Sequence, residues 1–108
     1  MKATLEALAE PNRLRIVELL RGGPRPVNEI VEKLALPQPL VSKHLRALRK
    51  AGLVQAQPRA QQRVYQLQPA AFQELDSWIS SFRRLWEHRL DALDDYMQEL
   101  KSQRPARK

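Results

Sequence analysis

No cysteine occurs in these 108 residues. That absence excludes disulfides and thiolate metal ligands, and it suits a reducing cytoplasm. No stretch approaches the length of a membrane span, and the N-terminus lacks the apolar run of a signal peptide. The expectation is a cytoplasmic protein with no membrane partner. A Gly-rich phosphate loop is missing, as are a nucleophile with a base beside it and a carboxylate pair in an apolar setting. Asp94 and Asp95 adjoin, but in a segment acidic throughout, where a solvated face is the ordinary explanation. Neither a catalytic site nor a cofactor is expected. Two absences are regional. Residues 33–73 hold seven bases and not one carboxylate, whereas residues 1–32 are balanced, residues 74–100 carry a net charge of −4, and residues 101–108 add four bases. Between Pro69 and Leu100 there is neither glycine nor proline.

What is present is globular in composition, 43% apolar and 29% charged, with a net charge of +7. Its length suits one domain, placed at residues 1–100, followed by a basic tail over 101–108 that is expected to be disordered. A core of this size is modest, so pairing with a second copy would help. A block of forty-one residues without a carboxylate is the footprint expected of a phosphate-facing surface.

Inside that block lies the stretch Pro37 to Val54. Read as a helix, it sets Val41, Leu45 and Leu48 on one face. Pro39 suits the first turn, and Gly52 can take the left-handed conformation that closes a helix. The opposite face carries Gln38, Ser42, Arg46 and Arg49, with Lys43 and Lys50 on its flank. A short helix with one apolar side and cations and hydrogen-bond donors on the other fits a DNA major groove.

Three helices are expected before it. Residues 2–9 offer Leu5 and Leu8 as apolar contacts. Pro11-Asn12 starts a densely apolar helix with Leu14, Ile16, Val17, Leu19 and Leu20, which Arg21-Gly22-Gly23-Pro24 stops. Residues 26–34 are apolar at Val27, Ile30, Val31 and Leu34, with Glu29 and Glu32 on the outer side, and Ala35-Leu36-Pro37 links them to the basic helix. Two short helices so joined make a helix-turn-helix. After it, residues 53–57 and 63–67 form a hairpin whose tip, 58–62, is polar and basic. Arg59 and Arg63 there would meet phosphates or a minor groove.

From Pro69 onward Phe72, Leu75, Ile79, Phe82, Trp86, Leu90, Leu93, Met97 and Leu100 recur in steps of three and four. The stripe runs along about nine turns, roughly 45 Å, more than one small domain covers by itself. Trp78, Leu85 and Tyr96 widen it. A homodimer through this helix, with help from Leu5 and Leu8 of the first, is the expected arrangement.

Four pieces in this order, Pro11-Asn12-Arg13-Leu14-Arg15-Ile16, Val41-Ser42-Lys43-His44-Leu45-Arg46-Ala47-Leu48, Ala51-Gly52-Leu53-Val54 and Arg63-Val64-Tyr65-Gln66-Leu67, together resemble the ArsR-type winged-helix repressors of bacteria. The resemblance implies a mainly helical fold with a small β-hairpin and a long C-terminal dimerisation helix. It implies a homodimer on a palindromic operator in double-stranded DNA, usually near its own promoter. Pro37 stands where family members commonly have Ser or Thr, so Gln38 is expected to take over part of the N-cap role. Ala60-Gln61-Gln62 stands where family wings tend to turn on glycine.

Ser42 and His44 match the family's Ser-x-His pair. Ser42 is expected to touch DNA, whereas His44 either does so or packs the helix onto the core. Gln38 is the expected base reader, since Gln pairs bidentately with adenine. Arg46 is expected on the DNA, and Lys43, Arg49 and Lys50 on phosphates. Many family members release DNA on binding a metal, through cysteines or through Asp, His and Glu on the last helix. Here His88 and Asp91 supply two ligands and Asp76-Ser77-Trp78 lacks the histidine of the other half, while a zinc site needs three or four. No metal site is expected. Two other readings stay open: a sensor with a small-molecule effector near Trp78, Phe82 and Trp86, and a protein-interaction module without operator specificity.

Overall fold

The computed structural model describes residues 1–103. In chain order these form α1 (Lys2–Leu8), α2 (Pro11–Leu20), β1 (Arg25–Pro26), α3 (Val27–Leu34), α4 (Gln38–Lys50), β2 (Val54–Arg59), β3 (Gln62–Leu67) and α5 (Pro69–Gln103). They divide into two units, Met1–Leu75 and the remainder of α5 from Asp76 onward.

The first unit holds the core. Ile16, Ile30, Val41, Leu45, Leu48, Leu53 and Val54 are fully buried, one or more from each of α2, α3, α4 and β2. The periodic positions of α4 face inward as the sequence requires, and those of α2 reduce to Ile16, Val17 and Leu20, with Leu14 left 42% exposed. In α1 the contact is not the expected one. Thr4 and Ala7 are buried while Leu5 is 40% exposed, because a small residue lets the short helix approach closely. Leu8 and Phe72 pack against this core from its edge. Both were expected at a dimer interface, and each is partly buried against its own chain's core and keeps part of its surface exposed.

Helix ends are set by local chemistry. Glu10 caps α2, its carboxylate accepting from the Arg13 amide at 2.8 Å, with Pro11 in the first turn. Arg15 Nη2 donates to the Leu34 carbonyl at 3.1 Å, which satisfies an orphan acceptor at the end of α3. Ala35 then turns the chain in the left-handed region, φ 53 and ψ 44. No side chain caps α4, so Gln38 does not take the N-cap role. The Pro37 carbonyl instead accepts from the Leu40 and Val41 amides, each at 3.1 Å. At the other end Gly52, φ 78, closes α4 as its position predicts. The Gly52 amide donates to Arg49 O and the Leu53 amide to Leu48 O, each at 3.0 Å, the two bonds of a Schellman motif.

The antiparallel sheet has the order β1-β3-β2. Its third strand, β1, pairs Arg25 with Tyr65 and Pro26 with Val64, where the sequence pattern had put the end of a loop and the start of a helix. β2 and β3 stay paired from Val54–Leu67 out to Arg59–Gln62. The tip is thus two residues, Ala60 and Gln61, rather than five, and Ala60 makes the reversal at φ 53.

The second unit is one uninterrupted helix. None of its residues is buried, and its apolar stripe lies open: Phe82 is 47% exposed, Trp86 63% and Leu93 56%. Trp78 and Phe82 meet edge to face with centroids 4.9 Å apart. α5 runs to Gln103, three residues into the stretch expected as a disordered tail; the rest of that tail lies outside the described residues.

Candidate nucleic-acid interface

Residues on the polar face of α4 are separated by three and four positions, which stacks Gln38, Ser42, Arg46 and Arg49 along one side of the helix. The hairpin brings a second wall up to that side. Arg63 and Tyr65, two apart on β3 and so on one face of the strand, join the four α4 residues and Val27 around an open depression of about 320 Å³. Gln38, Arg46, Arg49 and Arg63 are exposed and Ser42 is half-buried. Five of the nine side chains expected to meet DNA are therefore assembled in one place, four from α4 and Arg63 from β3, where it pairs with Pro58.

The other four part company. Lys43 and Arg59 are exposed outside the depression. Lys50 lines a second, shallower hollow of about 310 Å³ with Ala3, Glu6, Ala7, Arg13, Ala47 and Ala51. His44 is buried, 9% exposed, beside Val41, Leu45 and Leu48 on the inner face of α4. Its Nε2 lies 3.7 Å from the Glu10 carboxylate, which also sits 3.9 Å from Arg13 Nε. Of its two expected roles, packing α4 onto the body is the one its burial and the Glu10 carboxylate support.

The electrostatics follow the sequence. The ion pairs among the described residues join Met1 to Glu74, Lys2 to Glu6, Arg13 and His44 to Glu10, and Arg25 to Glu29. No lysine or arginine of α4 or the hairpin takes part; residues 33–73 hold no acid to offer one locally, and the one reach across to an acid elsewhere is that of His44 to Glu10. Cations left unpaired on one concave surface raise its potential and draw polyanions.

Sequence reasoning missed Val27 and Tyr65 as walls of the depression and Arg13 as the neighbour of Lys50. Tyr65 was legible in principle, because strand alternation from Arg63 puts it on the same face. Val27 and Arg13 were not, since only the packing of α3 and α2 brings them there. Among the described residues no three His, Cys, Asp or Glu side chains gather as a metal set, and no helix is long and apolar enough to cross a membrane.

Comparison with known proteins bears on this surface directly. A family model described as "Bacterial regulatory protein, arsR family" matches residues 10–56, from the cap of α2 through α4 into β2. The HTH-type transcriptional regulator Rv2034 of Mycobacterium tuberculosis is 40% identical over 77 residues, 71% of this chain and 72% of that protein. The HTH-type transcriptional repressor SmtB of the same species is 46% identical over 63 residues, but the match spans 58% of this chain and only 47% of that protein. Among solved structures, the homodimeric winged helix-turn-helix DNA-binding domain of Mb0332 from Mycobacterium bovis superposes with a TM-score of 0.65 at 26% identity, covering 77% of each chain.

Proposed function

This chain belongs to the arsR family of bacterial regulatory proteins, transcriptional regulators rather than enzymes, and from that premise we propose that it is a homodimeric repressor of a palindromic operator. The observation that carries the reading is the carboxylate-free surface on which Gln38, Ser42, Arg46 and Arg49 of α4 face Arg63 of the hairpin. α4 enters the major groove by its N-terminal end. Gln38 reads a base edge, with Arg46 beside it, and Ser42 supplies a hydroxyl at the groove wall. Lys43, Arg49 and Lys50 hold phosphates, and Arg59 braces the flank from the hairpin tip. His44 acts from behind, holding α4 against the cap of α2.

A twofold dimer would present two such helices to successive major grooves, and symmetry in the protein then requires symmetry in the operator. The stripe of Ile79, Phe82, Trp86, Leu90, Leu93 and Met97 supplies the apolar surface for that pairing, as the homodimeric Mb0332 domain suggests. Leu75, half-buried, belongs to its beginning, and Leu5, exposed on α1, is available to it. Repression of its own promoter, without a metal effector, is the regulatory mode proposed.

Fluorescence anisotropy tests this on duplex DNA from the region upstream of the gene and on a scrambled duplex, each at two salt concentrations. A preference of about a thousandfold for the upstream DNA with a steep salt slope is the expected result. Equal binding to both duplexes would sink autorepression and leave a non-specific basic surface.

A further inference from the structure

Glu10 is not the residue that helix capping alone would select. Serine, threonine, aspartate and asparagine hold an N-cap best, because their short side chains meet the amides of the first turn with little freedom to lose. Glu10 caps α2 with a longer side chain, its Oε2 accepting from the Arg13 amide at 2.8 Å. The added reach has a second consequence. The same oxygen lies 3.7 Å from Nε2 of His44 on α4 and 3.9 Å from Nε of Arg13 on α2. Three nitrogens from two helices thus gather about one carboxylate oxygen. No other acid competes for His44. α4 and both strands of the hairpin carry none, Glu6 of α1 pairs with Lys2, and Glu29 of α3 pairs with Arg25. Glu18 and Glu32 are exposed on α2 and α3 and join no ion pair among the described residues. Arg13 Nε is itself buried without a hydrogen-bond partner, so its charge too is answered by Glu10. Such a cluster, shielded from water on one side, is felt more strongly than a surface pair.

We propose that Glu10 is a positioning residue for sequence discrimination: through His44 its carboxylate fixes how α4 is seated on α2, and so the angle at which Gln38 and Arg46 meet base edges. Val41, Leu45 and Leu48 hold α4 down by apolar burial, which is non-directional and leaves small rotations weakly specified. One charged anchor on the same inner face specifies them. The inference rests on the function proposed above, and it extends that function to an acid, whose charge DNA repels, on the side of α4 turned away from the groove.

Glu10→Ser separates the two tasks, since serine caps a helix well and is too short to reach His44. Arg13, whose side chain is 25% exposed, can turn its guanidinium to water, so the variant should stay folded by its amide spectrum. Binding is read by anisotropy on the tightest duplex selected from a random-sequence pool and on a scrambled version of it. Affinity for the selected duplex should fall about tenfold and that for the scrambled one less than about twofold. Both salt slopes should stay as they were, because no phosphate contact is lost. Glu10→Asp, which keeps the charge, should recover part of the discrimination, whereas Glu10→Gln, which keeps the length without the charge, should behave like Glu10→Ser. In a His44→Gln background Glu10→Ser should cost nothing further, because the pair is already broken. A folded Glu10→Ser protein that discriminates as well as the parent would overturn the assignment. So would equal losses on both duplexes, or losses that simply add to those of His44→Gln.

Amide hydrogen exchange, measured on the full chain without DNA, keeps this inference apart from the DNA reading. Glu10→Ser should speed exchange at residues 45–48 of α4 and leave residues 16–20 of α2 as they are. Unchanged rates along α4 would overturn the seating whatever the duplexes show. If the parent prefers no duplex while that contrast in exchange holds, the seat provided by Glu10 stands and the DNA reading alone is lost.

Discussion

The residues up to Leu75 and those from Asp76 onward use apolar side chains in opposite ways. In the first unit large aliphatic residues on four helices and a sheet find one another, and seven of them lose all contact with solvent. In the second, aromatic and aliphatic residues recur with equal regularity along a single helix, yet none is buried. Periodicity is therefore a statement about which residues share a face, not about what covers that face. A helix that is amphipathic within a domain is stabilised by its own chain; one with a stripe this long needs a partner to remove the same area from water.

Substitutions of similar chemistry should separate the two regions, and the largest effect belongs to the core. Leu48→Ala removes a fully buried side chain from the inner face of α4 and is expected to cost about 2–5 kcal/mol, read as a lowered urea midpoint. The double change Phe82→Ala with Trp86→Ala should leave the Met1–Leu75 unit folded while raising the dissociation constant of the proposed dimer by at least about a hundredfold in sedimentation velocity. A global loss of structure instead would mean that the stripe serves its own chain and would erase the contrast. On the DNA-facing surface the expected effects are smaller. Arg46→Ala should weaken binding by about 1–3 kcal/mol and relax sequence preference, whereas Lys50→Ala should lower affinity evenly and cut the salt slope by about one. Equal behaviour of the two variants would contradict the division between base and phosphate contacts. Smallest of all, Ala35→Gly and Ala60→Gly relieve a left-handed alanine at the end of α3 and at the hairpin tip. Each should stabilise by less than about 1 kcal/mol, since the relief is partly offset by the added freedom of an unfolded glycine. Thermal melts would show the first as a slightly higher Tm.

Most of the fold was legible because its signals are local. Val41, Leu45 and Leu48 mark the inner face of α4, Gly52 its end, and Arg21-Gly22-Gly23-Pro24 the stop after α2. What was not legible depends on residues distant in sequence. β1 is two residues whose identity as a strand comes wholly from pairing with Val64 and Tyr65. His44 lies at the edge of the apolar face by helical angle, and only Glu10, thirty-four positions earlier, tells that it turns inward. Thr4 and Ala7 outrank Leu5 in burial because the space under α1 is tight, which composition does not reveal. The candidate site divides along the same line. Its α4 members follow from helix geometry, but the company that Arg63 keeps follows from the hairpin register and the packing of the sheet.

The Schellman closure at Gly52 reaches beyond the end of one helix. Leu53, whose amide completes it, is fully buried, and its carbonyl accepts from the Gln68 amide at 2.8 Å, so the last turn of α4 and the base of the hairpin are tied to the same residue. There is no slack chain between the helix proposed to enter a groove and the hairpin proposed to flank it. The two are gauged against each other like the jaws of a fixed calliper. New sequence preference in such a protein has to come from exchanging side chains on the jaws, since an added residue at the joint would throw both out of gauge together.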